Sequence, residues 1–195
     1  MKGRTVSVPF SCARRKEWIA MTGSTTGVAV PKFARDYAPL LTIAAREASS
    51  LRTREARMQR CCDLLWDAFS GAGLSWIGFY AKVPGAEEMV LEVRRDKPAC
   101  SPIGLHGCCG RGWKERRPIL VDDVATLGPN YIACDPRDKA ELVLPMLDSD
   151  GTCWGVLDAD SHDTFAFGEA DRSGMSALCE TLGLTEKIPA EMLRL

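Results

Sequence analysis

Apolar positions along the chain change period twice, and each change marks a new kind of element. From Asp36 onward, Tyr37, Leu40, Leu41, Ala44 and Ala45 recur at helical spacing, which predicts an amphipathic helix. A second helix is predicted over residues 53–70, where Met58, Cys61, Leu65 and Phe69 share a face and Gly71 and Gly73 stop the run. The period then falls to two. Residues 75–81 and 89–93 read as strands joined by a turn at 84–88, a hairpin. Residues 98–112 are rich in glycine and cysteine and hold a short helix at most, and 118–121 form a short strand. A long loop over 122–138 contains the turn signal Gly128-Pro129-Asn130. Residues 140–147 and 153–158 make a second hairpin across the turn at 148–151. Period 3.6 returns at the end, with Met175, Leu178, Cys179 and Leu182 in one stripe before Gly183. Strands paired by short turns imply an antiparallel sheet, and helices gathered at both chain ends imply that they cover one face. The expected fold class is α+β, in two layers.

Composition sets the scale of that domain. With 195 residues, 46% of them hydrophobic and 26% charged, the chain has the apolar content for one packed core and no room for a second large domain. Residues 1–33 are expected to be a poorly ordered tail. They carry Lys2, Arg4, Arg14, Arg15 and Lys16 against Glu17 alone, followed by a small-residue run, and leave the start at either Met1 or Met21 open. The domain then spans 34–187, and 188–195 read as a C-terminal tail. A formal net charge of −1 lacks the basic surplus that phosphate-backbone binding needs, so nucleic acid is excluded as a first expectation. No run approaches the roughly 18 apolar residues of a membrane span.

The candidate chemistry lies in nine cysteines against two histidines. Nothing near the start resembles a secretory signal and an odd count cannot close fully into disulfides, so a cytoplasmic protein with reduced thiols is expected. Cys61-Cys62 and Cys108-Cys109 are adjacent pairs, not C-x-x-C, and His106 and His162 lie far apart, so the spacing of a structural zinc site is missing and no metal is expected. Cys61, Cys153 and Cys179 fall on apolar stripes or strands and read as core. Cys100, Cys108, Cys109 and Cys134 lie instead on loops rich in glycine or polar residues. Cys134 sits beside Asp135 and seven residues before the strand-borne Glu141, which favours a reactive thiol over a structural one. Asp158 and Asp160 share a strand face, as do Trp76 and Tyr80, whose rings suit a core or a pocket wall equally.

Four segments in one order carry a resemblance: Trp76-Ile77-Gly78-Phe79-Tyr80; Ala99-Cys100 with Gly107-Cys108-Cys109-Gly110; Tyr131-Ile132-Ala133-Cys134-Asp135 with Glu141-Leu142-Val143-Leu144-Pro145; and Gly155-Val156-Leu157-Asp158-Ala159-Asp160-Ser161. Together they resemble the GAF-domain free methionine-(R)-sulfoxide reductases over about residues 36–187. The resemblance implies a GAF-like antiparallel sheet of about six strands with helices on one side. It also implies an activity. One thiol attacks the sulfoxide and becomes a sulfenic acid, methionine leaves, and a second thiol closes a disulfide that a thioredoxin-type reductant opens, with no cofactor. Cys134 matches the nucleophile, Cys100 a resolving thiol, and Cys109, the cysteine directly before the glycine, the remaining one, with Cys108 as its competitor. Glu141, Asp158 and Asp160 match the acids that hold and protonate substrate, and Trp76 and Tyr80 the pocket walls. The segment 101–106 and Tyr131, where a histidine is common, depart from the family pattern. Related domains dimerise through terminal helices, so a homodimer is expected. The alternative is a non-catalytic GAF sensor or small-ligand module, redox-responsive through the same thiols. A heme or cyclic-nucleotide site fits poorly with so few histidines and acids around the pocket.

Overall fold

Helix α1 (Ala38–Glu47) and helix α2 (Arg54–Phe69) occupy the two stretches where apolar residues recur three and four apart. The computed structural model describes residues 31–131 and 134–195, so the expected N-terminal tail lies outside the described residues up to position 30. Thr53 caps α2. Its extended backbone lets the side-chain oxygen accept from the Ala56 N–H at 3.1 Å, satisfying one of the donors that a helix start leaves open. After α2 the chain turns through Gly73, whose φ of +82° is left-handed and whose missing Cβ makes room for the Phe33 ring.

Strands β1 (Trp76–Lys82) and β2 (Glu88–Arg95) form the first hairpin, and β5 (Ala140–Leu147) and β6 (Cys153–Ser161) the second. The hairpins join through antiparallel pairing of β1 with β6. Three short strands complete the sheet: β3 (Ile103–Gly104) beside β2, β4 (Ile119–Val121) beside β5, and β7 (Leu193–Arg194) beside β4. Two features differ from expectation. Among the described residues the sheet has seven strands rather than about six, and β7 runs parallel to β4. The segment expected to be a C-terminal tail therefore returns to the sheet. The Leu193 and Leu195 N–H groups bond the carbonyls of Pro118 and Leu120, which closes the otherwise open edge of β4.

Side chains two apart on each strand divide between two layers. Ile77, Phe79, Leu142, Leu144, Leu157 and Ala159 face α1, α2 and α4 (Glu169–Thr181) in one buried core. Helices from both chain ends thus cover one face, as the pattern implies. The other face carries α3 (Cys108–Glu115), a short helix of about two turns that starts in the segment expected to hold one and runs three residues past it. Glycine lets it approach closely. A Cβ at Gly110 would stand 2.3 Å from the Leu105 carbonyl, and one at Gly112 2.9 Å from Val143.

One polar cluster pins the helical layer. Asp171, at the start of α4, accepts from Arg35 at 2.9 Å and from the Tyr37 hydroxyl at 2.8 Å, and the Arg35 and Asp171 side chains are 0% and 3% exposed. Arg35 also donates to the carbonyls of Ala72 and Ala166. Removing the acid leaves a buried guanidinium without its counter-charge. Asp171→Ala is accordingly expected to destabilise the domain by about 3–5 kcal/mol, read as a lower urea midpoint at an unchanged slope.

Candidate active site

The pocket lies on the sheet face away from the α1, α2 and α4 layer, between the centre of the sheet and the loops above it. Its empty space is about 850 Å³ with the open mouth included, within the usual range for small-ligand sites. Strand alternation supplies its floor and one wall. Trp76 and Tyr80 come from β1, Glu141 from β5, and Asp158 and Asp160 from β6. Cys100, the first turn of α3 with Cys108 and Cys109, and Cys134 supply the rest. All nine residues singled out in the sequence, Cys108 included, therefore line one cavity.

Two pairs of contacts organise the thiols. Cys134 and Cys100 are neighbours that act on each other electrostatically, so the two loops that carry them meet at the pocket. Cys134 is exposed as a residue, yet its sulfur turns inward. Desolvation first, and the Cys100 contact second, raise its thiol well above the ordinary range. Deeper in, Cys108 lies by Glu141 and Cys109 by Asp158, and desolvation leads the rise of both thiols. The adjacent cysteines thus face two different acids. A helix N-terminus favours anions by about 0.3–1 kcal/mol, whereas burying a charge costs several, so burial prevails and both thiols keep their protons.

The acids are shifted the same way. Burial raises Glu141 to about 7, although bonds from Cys108 and from the Tyr131 hydroxyl, the latter at 3.2 Å, pull in the opposite direction. Asp158 is raised further by desolvation and then by the nearby Glu141 charge, and Asp160 by desolvation and then by Asp158. Carboxyl groups crowded in a dry pocket cannot all ionise. Burial and mutual repulsion thus favour protonated carboxyl groups here, and a protonated carboxyl can donate a hydrogen bond to an acceptor oxygen.

The two aromatic residues also brace the thiol loop. Trp76 Nε1 donates to the Lys97 carbonyl at 3.0 Å, and the Tyr80 hydroxyl donates to the Cys100 carbonyl at 2.9 Å. On the other side, Ser101 Oγ accepts from the Leu91 N–H at 3.0 Å. The departure at 101–106 thus leaves the loop fastened from below and from the side. Lys97 pairs with Asp135, next to Cys134, which ties the two thiol loops by charge. Hydrogen bonds from Arg137 and then Lys97 hold the Asp135 carboxyl well below its usual range. His162 Nε2 stands 3.6 Å from both Asp135 and Asp138.

Sequence reasoning missed Asp138. It lines the pocket, is 6% exposed, and is raised by desolvation and then by Asp135. In the sequence it is one more acid in a polar loop, and nothing there signals burial. Tyr131, known only as a departure, supplies the hydroxyl that bonds Glu141.

The family model of the GAF domain matches residues 52–185. The chain belongs to the GAF-domain family. This GAF domain is 30% identical over 129 residues to the free methionine-R-sulfoxide reductase of Saccharomyces cerevisiae, covering 64% of this chain and 71% of the yeast protein. The solved free methionine-R-sulfoxide reductase of Neisseria meningitidis, in complex with its substrate, is similar at a TM-score of 0.68 and 30% identity, covering 78% of this chain and 92% of that one. The GAF domain of an Acinetobacter phosphoenolpyruvate-protein phosphotransferase shares the fold alone, with a TM-score of 0.63 at 16% identity over 74% of this chain and 88% of that one. A GAF fold hosts unlike functions, so the activity has to be argued from the pocket. Among the described residues no helix is long and apolar enough to cross a membrane.

Proposed function

We propose that this GAF domain reduces free methionine-(R)-sulfoxide to methionine with Cys134 as the nucleophile. One observation carries the reading: the neighbouring thiols of Cys134 and Cys100 open onto the same pocket as buried carboxyl groups whose hold on protons is raised by burial. A sulfoxide oxygen accepts hydrogen bonds and leaves sulfur only as it gains protons, which is what such acids supply. Trp76 and Tyr80 offer apolar rings to the methyl and methylene groups.

The steps balance without a cofactor. Cys134 sulfur attacks the sulfoxide sulfur while a protonated acid of the Glu141, Asp158 and Asp160 cluster donates to the oxygen and an ionised neighbour takes the thiol proton. Oxygen passes to Cys134, so thiol and sulfoxide become sulfenic acid and methionine, and the cluster ends with the protons it began with. Cys100 then attacks the sulfenic sulfur, water leaves, and a disulfide closes. A dithiol of the thioredoxin class takes that disulfide and restores both thiols. The raised Cys134 thiol fits this scheme because its proton moves to a carboxylate as the new bond forms, without prior ionisation. We place the reaction in the cytoplasm, where thiols stay reduced.

The test is methionine release from racemic methionine sulfoxide with thioredoxin or dithiothreitol. The expected result is consumption of half the racemate, with the S form untouched; no release with either reductant overturns the reading. A second reading has one observation in its favour, the burial that raises the Cys134 thiol above its ordinary range, which suits a ligand-binding GAF module. That module would bind small molecules with no turnover, and its binding would survive loss of both Cys100 and Cys134.

A further inference from the structure

We propose that the pocket floor is a binding site for a thiophilic divalent cation of the zinc class, held by Cys109 Sγ and one oxygen each from Glu141 and Asp158. These three donor atoms lie within 4.8 Å of one another, although they come from α3, β5 and β6. Spacing along the chain could not reveal such a site. The ligands lie 32 and 17 residues apart in sequence and meet only through the fold.

A second observation points to a missing ligand. Asp158 Oδ1 is buried without a hydrogen-bond partner among the described residues, and the whole residue is only 7% exposed. A buried carboxylate oxygen is costly to leave unpaired. No lysine or arginine is among the described residues that line the pocket, so no cationic side chain there competes for these donors. A dipositive ion would supply the missing partner. Four-coordinate zinc has bonds of about 2.3 Å to sulfur and 2.0–2.2 Å to oxygen, which puts neighbouring donors about 3.5 Å apart, so a contraction of roughly 1 Å closes the shell. The set of one thiolate and two carboxylates leaves the fourth position open toward the cavity. Cys108, held on Glu141, stands beside the site without being required for it.

Binding releases the Cys109 thiol proton together with any proton held on Glu141 or Asp158, so affinity rises with pH. An ion here takes up the acids assigned above to the sulfoxide oxygen. Inhibition of turnover by stoichiometric zinc therefore follows, and that consequence rests on the reductase reading; the site itself does not.

The experiment uses Co²⁺ as a coloured probe on the full chain, with thiols kept reduced by a phosphine. Titration is expected to produce a thiolate-to-cobalt band and visible four-coordinate bands, saturating at about one ion per chain and displaced by Zn²⁺. Cys109→Ser should abolish the thiolate band. Asp158→Asn should weaken Zn²⁺ binding by more than the roughly 10–100-fold that outer-shell changes cost. Glu141→Gln provides a second carboxylate test, and circular dichroism verifies that each variant is folded. The double variant Cys100→Ser/Cys134→Ser should keep the band. An absent band in the unaltered chain, a band that survives Cys109→Ser, or one lost with Cys100 and Cys134 overturns the site. If the site forms but methionine release is absent, only the reductase reading fails.

Discussion

Cys134→Ser is expected to lower methionine release by at least roughly 10³-fold, because the variant loses the only atom that the proposed mechanism lets carry the oxygen away. A serine hydroxyl is a much poorer nucleophile toward sulfur, and it can form neither a sulfenic acid nor a disulfide. Cys100→Ser makes the informative contrast. It keeps the first chemical step, so one equivalent of methionine should appear in a single turnover before the sulfenic acid waits for external thiol. Thioredoxin-supported cycling should then fall, while a small thiol such as dithiothreitol restores part of it. Rapid-quench measurement of methionine, together with thiol mass mapping, separates the two variants. Cys134 is exposed, so its replacement should leave stability within about 0.5 kcal/mol and folding cannot account for the loss. Full turnover in Cys134→Ser would move the nucleophile elsewhere, and Cys109, on the same pocket, would be the next candidate.

Most of the architecture was legible because it follows from local chemistry. The spacing of Met58, Cys61, Leu65 and Phe69 announces α2, and the alternation through 76–80 and 156–160 separates a helix-facing set from a pocket-facing set. That same alternation places Asp158 and Asp160 together, and with Trp76 and Tyr80 they share one wall. What escaped depends on approach between distant segments. Helix α3 extends to Glu115 because Gly110 and Gly112 permit contact with Leu105 and Val143, a tertiary reason that a local view of a glycine-rich stretch reverses. Strand β7 forms because β4 has a free edge, not because Leu193 and Arg194 are strong strand formers. Asp138 looks solvated in sequence and becomes buried because the loop folds under His162 and Ser75. The adjacent cysteines look equivalent in sequence, and a helix separates their directions. Successive residues point about 100° apart, so Cys108 and Cys109 reach different acids.

Glu141→Gln is expected to cost activity and to gain stability at high pH, two effects with one physical origin. In the folded domain burial raises the carboxyl from 4.5 to about 7. Below about pH 4.5 both folded and unfolded chains hold the proton, and the group has no pH-linked effect. Between 4.5 and 7 the unfolded chain releases its proton while the folded one retains it, so each pH unit lowers stability. The loss is complete once pH has risen through the folded value. The 2.5-unit difference amounts to roughly 3 kcal/mol at 1.36 kcal/mol per unit. Glutamine fills the same space and cannot ionise, so the variant escapes this decline. Whatever constant offset comes from altered bonds to Tyr131 and Cys108, the stability difference between variant and parent should move by roughly 3 kcal/mol in the variant's favour from pH 4 to pH 8. Urea denaturation at the two pH values measures that difference directly, and a flat difference would mean that Glu141 is not held protonated in the fold. The kinetic effect runs the other way. Losing a group that gives or takes the proton costs about 10²–10⁴-fold, so turnover should collapse in the variant. A variant whose stability rises relative to the parent from pH 4 to pH 8 and which is nearly inactive identifies the buried acid as one that the pocket keeps at the expense of stability because the proton exchange with thiol and sulfoxide needs it.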